Sequence, residues 1–395
     1  MSDLLSKQDF ALETIQALIK SGIDQANLYL DLDPFAIQIK GARGEVLTSM
    51  SLSPYYRLYE SNPDSKEKLL AEIVETKNSV NIPATFEEAK PQLRPVVRIK
   101  WFYPKEDFPQ IEIGEHLCVL LGIDTPTTIL YCDNYILNKW DAKFEDAIDY
   151  AIESLGKNTE FEFDTSRSNK DKDDVCHFFT INDDYAASRV VFSGILESLP
   201  VKGDTLVVVP SKGYVMVTGT MGEFGLAHTF DAVAELHEKP DALAPHFMLL
   251  KDGAYYPYEF DPEHSLFKDT CVLENEFMEQ LYYAQKEQLN ASFESIIGKH
   301  KLLDYVSNKK EYSICVVEPE DIPASLPAAS VIVFTRQEEM LAAAPLFHVL
   351  NIMGDSMIPL DLYPERFEMN RFPSDEELEQ ISKVEEFYAE GESEV

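Results

Sequence analysis

Apolar residues in this chain come in short runs, and no window reaches 18 uninterrupted apolar residues. The runs also switch between two periods, which restricts the fold more than any other feature. In Arg94-Pro95-Val96-Val97-Arg98-Ile99-Lys100-Trp101-Phe102 the period is two: Val97, Ile99 and Trp101 point one way, Arg98 and Lys100 the other. Elsewhere it is helical. A helix starting near Ser6, with Asp9 in capping-box position, carries Phe10, Ile15, Leu18 and Ile19 and stops at Gly22. A second begins at Ser65 with Leu69, Leu70, Ile73 and Val74 on one face, and a third is expected over 139–155, ahead of Gly156. Interleaved periods of this kind predict an α+β fold of mostly antiparallel sheets covered by amphipathic helices.

Turn chemistry places the strands. Asp33-Pro34 separates Leu28-Tyr29-Leu30-Asp31-Leu32 from Phe35-Ala36-Ile37-Gln38-Ile39, a hairpin pattern. Pro210-Ser211-Lys212-Gly213 joins strands 205–209 and 214–218. Strands are also expected over 117–122, 127–135 and 177–181, and a helix from Asn182 to about Leu199. A partial repeat follows: Ala244-Pro245-His246-Phe247 precedes 257–264 as Ala344-Pro345-Leu346-Phe347 precedes 359–366. Two copies fall short of a solenoid, so a partially duplicated α+β unit is expected in the C-terminal part. The linear division is 1–92, 93–268 with its own motif, 269–373 as an extension, and an acidic tail over 374–395. That tail holds nine acids and one lysine, a short exposed helix or a frayed end.

Charge narrows the function classes. The 395 residues carry 34 Lys+Arg against 70 Asp+Glu, a formal charge of −36. Nucleic acids and anionic membranes both demand clustered cations, so neither is an expected partner; a basic protein is. The first nine residues lack a basic segment followed by an apolar one, and a cytoplasmic location is expected. Five cysteines (Cys118, Cys132, Cys176, Cys271, Cys315) form no CxxC pair and mostly sit in apolar runs, as buried thiols do.

Chemistry-bearing patterns are sparse. Asp31 and Asp33, at the end of an apolar strand, resemble the Asp-x-Asp of haloacid-dehalogenase-type phosphatases, with Asp183 and Asp184 as a second acidic pair for a divalent metal. The context opposes it, because Pro34 and a return strand follow at once, so strand-end and turn roles are favoured. His177, His228, His237, His246, His264, His300 and His348 show neither HExxH nor His-x-His spacing. No G-x-S-x-G elbow, P-loop or dinucleotide fingerprint occurs, and Gly219-Thr220-Met221-Gly222-Glu223-Phe224-Gly225 reads as a loop or bulge. Arg98 and Arg189, with Asp183, are the ligand-binding candidates; a buried arginine equally needs a carboxylate for structural reasons.

Asn182-Asp183-Asp184-Tyr185-Ala186-Ala187-Ser188-Arg189 resembles the N-D-G-Y-x-A-S-R signature of the YtpQ-like family, bacterial proteins of a domain-of-unknown-function class. Arg94-Pro95-Val96-Val97-Arg98 resembles that family's Y-P-V-I/V-R strand. The likeness covers residues 5–262, with Asp184 in place of a glycine and Ala186 in place of an aspartate. It implies no activity, cofactor or catalytic residue, and it counts against the phosphatase pattern. The expectation is therefore a non-enzymatic protein-interaction or regulatory module without a cofactor, with a divalent-metal-dependent hydrolase as the alternative. Oligomeric state is not readable from the chain.

Overall fold

The computed structural model describes residues 5–383 except 33–34, 41–45, 80–81, 104, 106, 126–128, 180, 182, 184, 240, 292–299 and 308. The fold is α+β, with several mostly antiparallel sheets. It divides into two units that do not follow the linear order. One takes the described residues of Met1–Pro95 and Leu120–Asn158, the other those of Val96–Val119 and Thr159–Val395. Strands Leu93–Ile99 and Leu117–Asp124 run through both.

In the first unit the predicted hairpin forms, with Leu28 opposite Ile39 and Leu32 opposite Phe35, and Val46–Ser51 adds a third strand. Phe35, Ile37 and Ile39 share one face by period two. They form a core with Phe10 and Leu18 of helix Lys7–Lys20, Tyr56 and Tyr59 of Ser53–Ser61, and Leu69 and Ile73 of Lys66–Ser79. Ser6 caps the first helix by accepting from the Asp9 amide. The helix expected over 139–155 is Phe144–Lys157, starting five residues later, and a separate short helix, Asn134–Lys139, capped by Asp133, ends where it was expected to begin. Asp141 adopts a left-handed φ of 52° between them, so the break falls next to Trp140, whose indole donates to Pro83 O.

The second unit is built on six antiparallel strands. Their spatial order is Ala254–Pro257, Met248–Lys251, Thr205–Ser211, Tyr214–Gly219, Val175–Phe179, Asp164–Arg167. Helix Glu223–His237 packs Leu226 and Val233 against Cys176, Leu206, Val208 and Met216 of this sheet. The glycine-rich stretch read as a loop or bulge is the entry to that helix. Buried Asp174 accepts from the amides of Phe224 and Gly225, at 2.9 and 2.8 Å, and so satisfies the first-turn donors from 50 residues upstream. Gly225 is required by space: a Cβ there would lie 2.4 Å from Val175 O. Asp174→Ala is expected to cost about 2 kcal/mol in urea unfolding, since two charge-assisted bonds to a buried helix start are lost together.

The expected helix over 182–199 shortens to a 3-10 turn, Ala187–Val191, and a single α turn, Ser193–Glu197. Phe192, with ψ 53°, interrupts them.

Beyond helix Phe267–Ala291, one sheet joins Ile314–Val317 in parallel to Val331–Arg336, which pairs antiparallel with Glu339–Pro345. A second joins Lys301–Leu302, Ala324–Pro327, Arg366–Met369 and Met357–Leu360. The order of elements, hairpin–helix–hairpin, is the same at 205–257 and 331–369. The partition differs: the first set shares one sheet, and the second set's hairpins belong to two. The short motifs are also out of phase, because Ala244-Pro245 precedes a strand while Ala344-Pro345 ends one and leads into helix Leu346–Met353. Helix Asp375–Ser382 carries a full Ser374/Glu377 capping box. Among the described residues, no helix is long and apolar enough to cross a membrane.

Candidate functional site

The second unit contains a cavity of about 230 Å³ lined by six separated pieces of chain. A turn at Gly114, which has a φ of +57° and leaves no room for a Cβ beside Met248 Sδ, presents Glu115 and His116 ahead of strand Leu117–Asp124. The irregular segment before Met248–Lys251 supplies His246, and the chain leaving Ala254–Pro257 supplies Tyr258 and Glu259. Helix Phe267–Ala291 buries Leu273, Phe277 and Leu281, spaced by one turn, and thereby directs Glu274, Asn275 and Met278 to the cavity.

Tyr305 fixes the floor. Its hydroxyl donates to Asn275 Oδ1 at 2.7 Å, and Asn275 Nδ2 donates to Lys310 O at 3.0 Å. His116 is 5% exposed; its Nδ1 pairs with the Tyr363 hydroxyl, and its ring lies 4.0 Å from that of His246 and 5.4 Å from that of Phe277, centre to centre. His246 Nδ1 is shut off from solvent and has no hydrogen-bond partner among the described residues.

The electrostatics follow from this packing. Burial, with the nearby Lys100 charge, pulls His116 down to about 3, and burial together with His116 and His237 holds His246 well below its usual range. Both rings are neutral at pH 7. Burial pushes the Glu274 carboxyl up to about 8, helped by the charges of Glu259 and Glu115. Among the described lining residues there is no lysine or arginine, and no serine, threonine or cysteine. The described lining therefore holds three carboxyl groups and no lysine or arginine.

No family model, curated protein or solved structure matches this chain.

Two of the three sequence candidates form a pair. Arg189, 3% exposed, donates from Nη1 and Nη2 to the two Asp183 carboxylate oxygens, each at 2.8 Å, and from Nε to Thr159 Oγ1 at 3.3 Å. Asp183 Oδ1 also accepts from the Tyr185 amide, an Asx-type turn. This bidentate arrangement neutralises a buried guanidinium and fixes the loop. Arg98 is half-buried, and its Nη1 donates to Val97 O at 2.7 Å. Asp31 stands on the first unit's hairpin opposite Ala36, whereas Asp183 belongs to the second unit. Asp33 and Asp184 lie outside the described residues. Among the described residues no three His, Cys, Asp or Glu side chains converge as metal ligands. His177 is engaged at both ring nitrogens, by Thr165 Oγ1 and Pro200 O.

The cavity groups were not apparent from spacing. Glu115 and His116 form an acidic–histidine pair between Gly114 and the apolar run 117–121, a local signal of a turn but not of a site. Of the cavity residues, Ala244, His246 and Phe247 belong to the first A-P-x-F copy and Pro257, Tyr258 and Glu259 to the stretch 257–264 that follows it, a pattern that signalled duplication and not a site.

Proposed function

We propose that this protein is a non-enzymatic binding module, a protein-interaction or regulatory unit. Its acidic surface selects a basic partner, and its cavity receives a cationic group of that partner. The observation that carries the reading is the convergence of Glu115, Glu259 and Glu274 on a cavity whose described lining has no Lys or Arg. Glu115 and Glu259 are exposed beside the half-buried Glu274; neighbouring like charges are mutually unfavourable, and an ammonium or guanidinium group relieves them. The chain's formal charge of −36 adds long-range attraction for such a partner. The likeness to the YtpQ-like family is kept as a proposed kinship, resting on 94–98 and 182–189, and brings no activity with it. The metal-dependent hydrolase has less support, because Asp183 is engaged by Arg189.

A fluorescent Arg/Lys-rich peptide titrated into the protein tests this reading. Affinity should fall as salt rises, and Glu115→Gln with Glu259→Gln should weaken binding by about tenfold, the effect of roughly 1.4 kcal/mol. An uncharged peptide of the same length that binds equally well would remove the reading.

A further inference from the structure

We propose that Arg366 and Ser325 bind a small monovalent inorganic anion, of the chloride class, inside the C-terminal part of the second unit. The site is separate from the cavity lined by Glu274 and does not depend on a cationic partner.

Arg366 opens strand Arg366–Met369, and its side chain is 0% exposed, the largest wholly buried one among the described residues. A guanidinium keeps its charge at neutral pH, so the interior carries a full positive charge. Burying it is costly unless a counter-ion and a full set of acceptors surround it. The acceptors are neutral and incomplete. Nε donates to Gln285 Oε1, and Nη1 donates to Leu303 O at 3.1 Å and Ser325 O at 3.0 Å. Gln285 is fixed in that orientation, because its Nε2 donates to Pro364 O at 2.6 Å. The guanidinium lies 5.4 Å from the centre of the Tyr282 ring, whose hydroxyl is engaged by Glu365 O and the Ala328 amide. Nη2 is shut off from solvent and has no hydrogen-bond partner among the described residues.

The nearby carboxylates are committed elsewhere. Asp304, whose charge reaches Arg366, is exposed and pairs with Lys286. Glu368, two positions along the same strand, pairs with His300 Nε2 at 3.3 Å. The contrast is with Arg189, equally buried, which receives both oxygens of Asp183.

Ser325 supplies the second, independent observation. It is wholly buried, and its Oγ also lacks a partner among the described residues. Across the antiparallel pair, Pro327 stands opposite Arg366 and Ser325 opposite Glu368, which puts Ser325 and Arg366 on one face as diagonal neighbours. Two N–H groups and one O–H are thus offered together. A water molecule would accept from them but leave the charge unbalanced; an anion accepts from all three and neutralises the guanidinium. Tyr282, Gln285, Leu303 and Cys315 around the group are all buried, which favours a monatomic ion over a phosphate or a carboxylate-bearing metabolite. Such an ion enters as the chain folds.

The test therefore loads it by refolding. Protein unfolded in urea is refolded in chloride-free sodium bromide, and crystals grown from it are measured at the bromine absorption edge. An anomalous peak in contact with Arg366 Nη2 and Ser325 Oγ is expected. In solution, gluconate is replaced by bromide over about 1 to 300 mM at constant ionic strength, and the urea midpoint of the wild type should rise with bromide. Ser325→Ala, which removes only the hydroxyl, should weaken the apparent bromide affinity by about tenfold. A peak without anomalous signal at Arg366, a wild-type midpoint that ignores bromide, or equal bromide dependence in Ser325→Ala overturns the anion site.

Discussion

Replacing Asp183, whose side chain is 33% exposed, with alanine should lower stability by about 2 kcal/mol, while Asp183→Ala combined with Arg189→Met should cost less than Asp183→Ala alone. The reason lies in where the pair sits. Arg189 is 3% exposed and makes both of its parallel bonds to Asp183, so deleting the carboxylate leaves an uncompensated buried charge. Removing the guanidinium as well leaves an apolar stem against the Phe179 ring, over which the group lies at 5.6 Å. Urea unfolding of the wild type, the two single variants and the double variant closes the cycle. If the double variant loses as much as the sum of the singles, the two side chains do not act as a pair.

The second large effect is a stability maximum near pH 6.5 set by the cavity groups. Below the ordinary histidine value of 6.5 the unfolded chain takes up protons that buried His116 and His246 refuse. Stability therefore falls as pH drops from 6.5 toward 3, by about 1.4 kcal/mol per unit for each ring while it stays neutral. Glu274 acts in the opposite sense. Between its ordinary 4.5 and about 8 the folded chain holds a proton that the unfolded chain has lost, so stability falls as pH rises through that window. Two rings outweigh one carboxyl below 6.5, and above it only the carboxyl is left. Denaturation midpoints at pH 5.0, 6.5 and 8.0 should thus peak in the middle. Glu274→Gln should abolish the decline from 6.5 to 8.0, and His116→Phe should flatten the acid side by one proton. A decline on the alkaline side that persists in Glu274→Gln would assign it to other groups.

The local elements were legible where one short window holds the whole signal. The hairpin 28–39 and the hairpin at 205–219 follow from period two and a turn, and the Ser6 cap from the three-residue spacing to Asp9. Helix Glu223–His237 was not legible, because its cap is Asp174, remote in sequence, and its opening glycines look like a loop. The same limit hid the cavity. His246 and Glu259 share the repeat 244–264, but no spacing rule links them to Glu115 or Glu274, and the proximity of the four is a product of tertiary packing. Asp183 and Arg189 lie close in sequence, so the option of a structural pair could be named, but whether they face solvent or each other depends on Thr159 and Phe179.

The interleaving of the two units has a consequence for how the chain is made. Synthesis runs from one end, and the first unit lacks residues 120–158 until Asn158 has left the ribosome. By then 96–119, which belong to the second unit, have already emerged and must wait for the chain beyond Thr159. Neither unit can close in a single pass of translation before the other has begun, and no single cut in the gene between codons 95 and 159 yields two complete folding units.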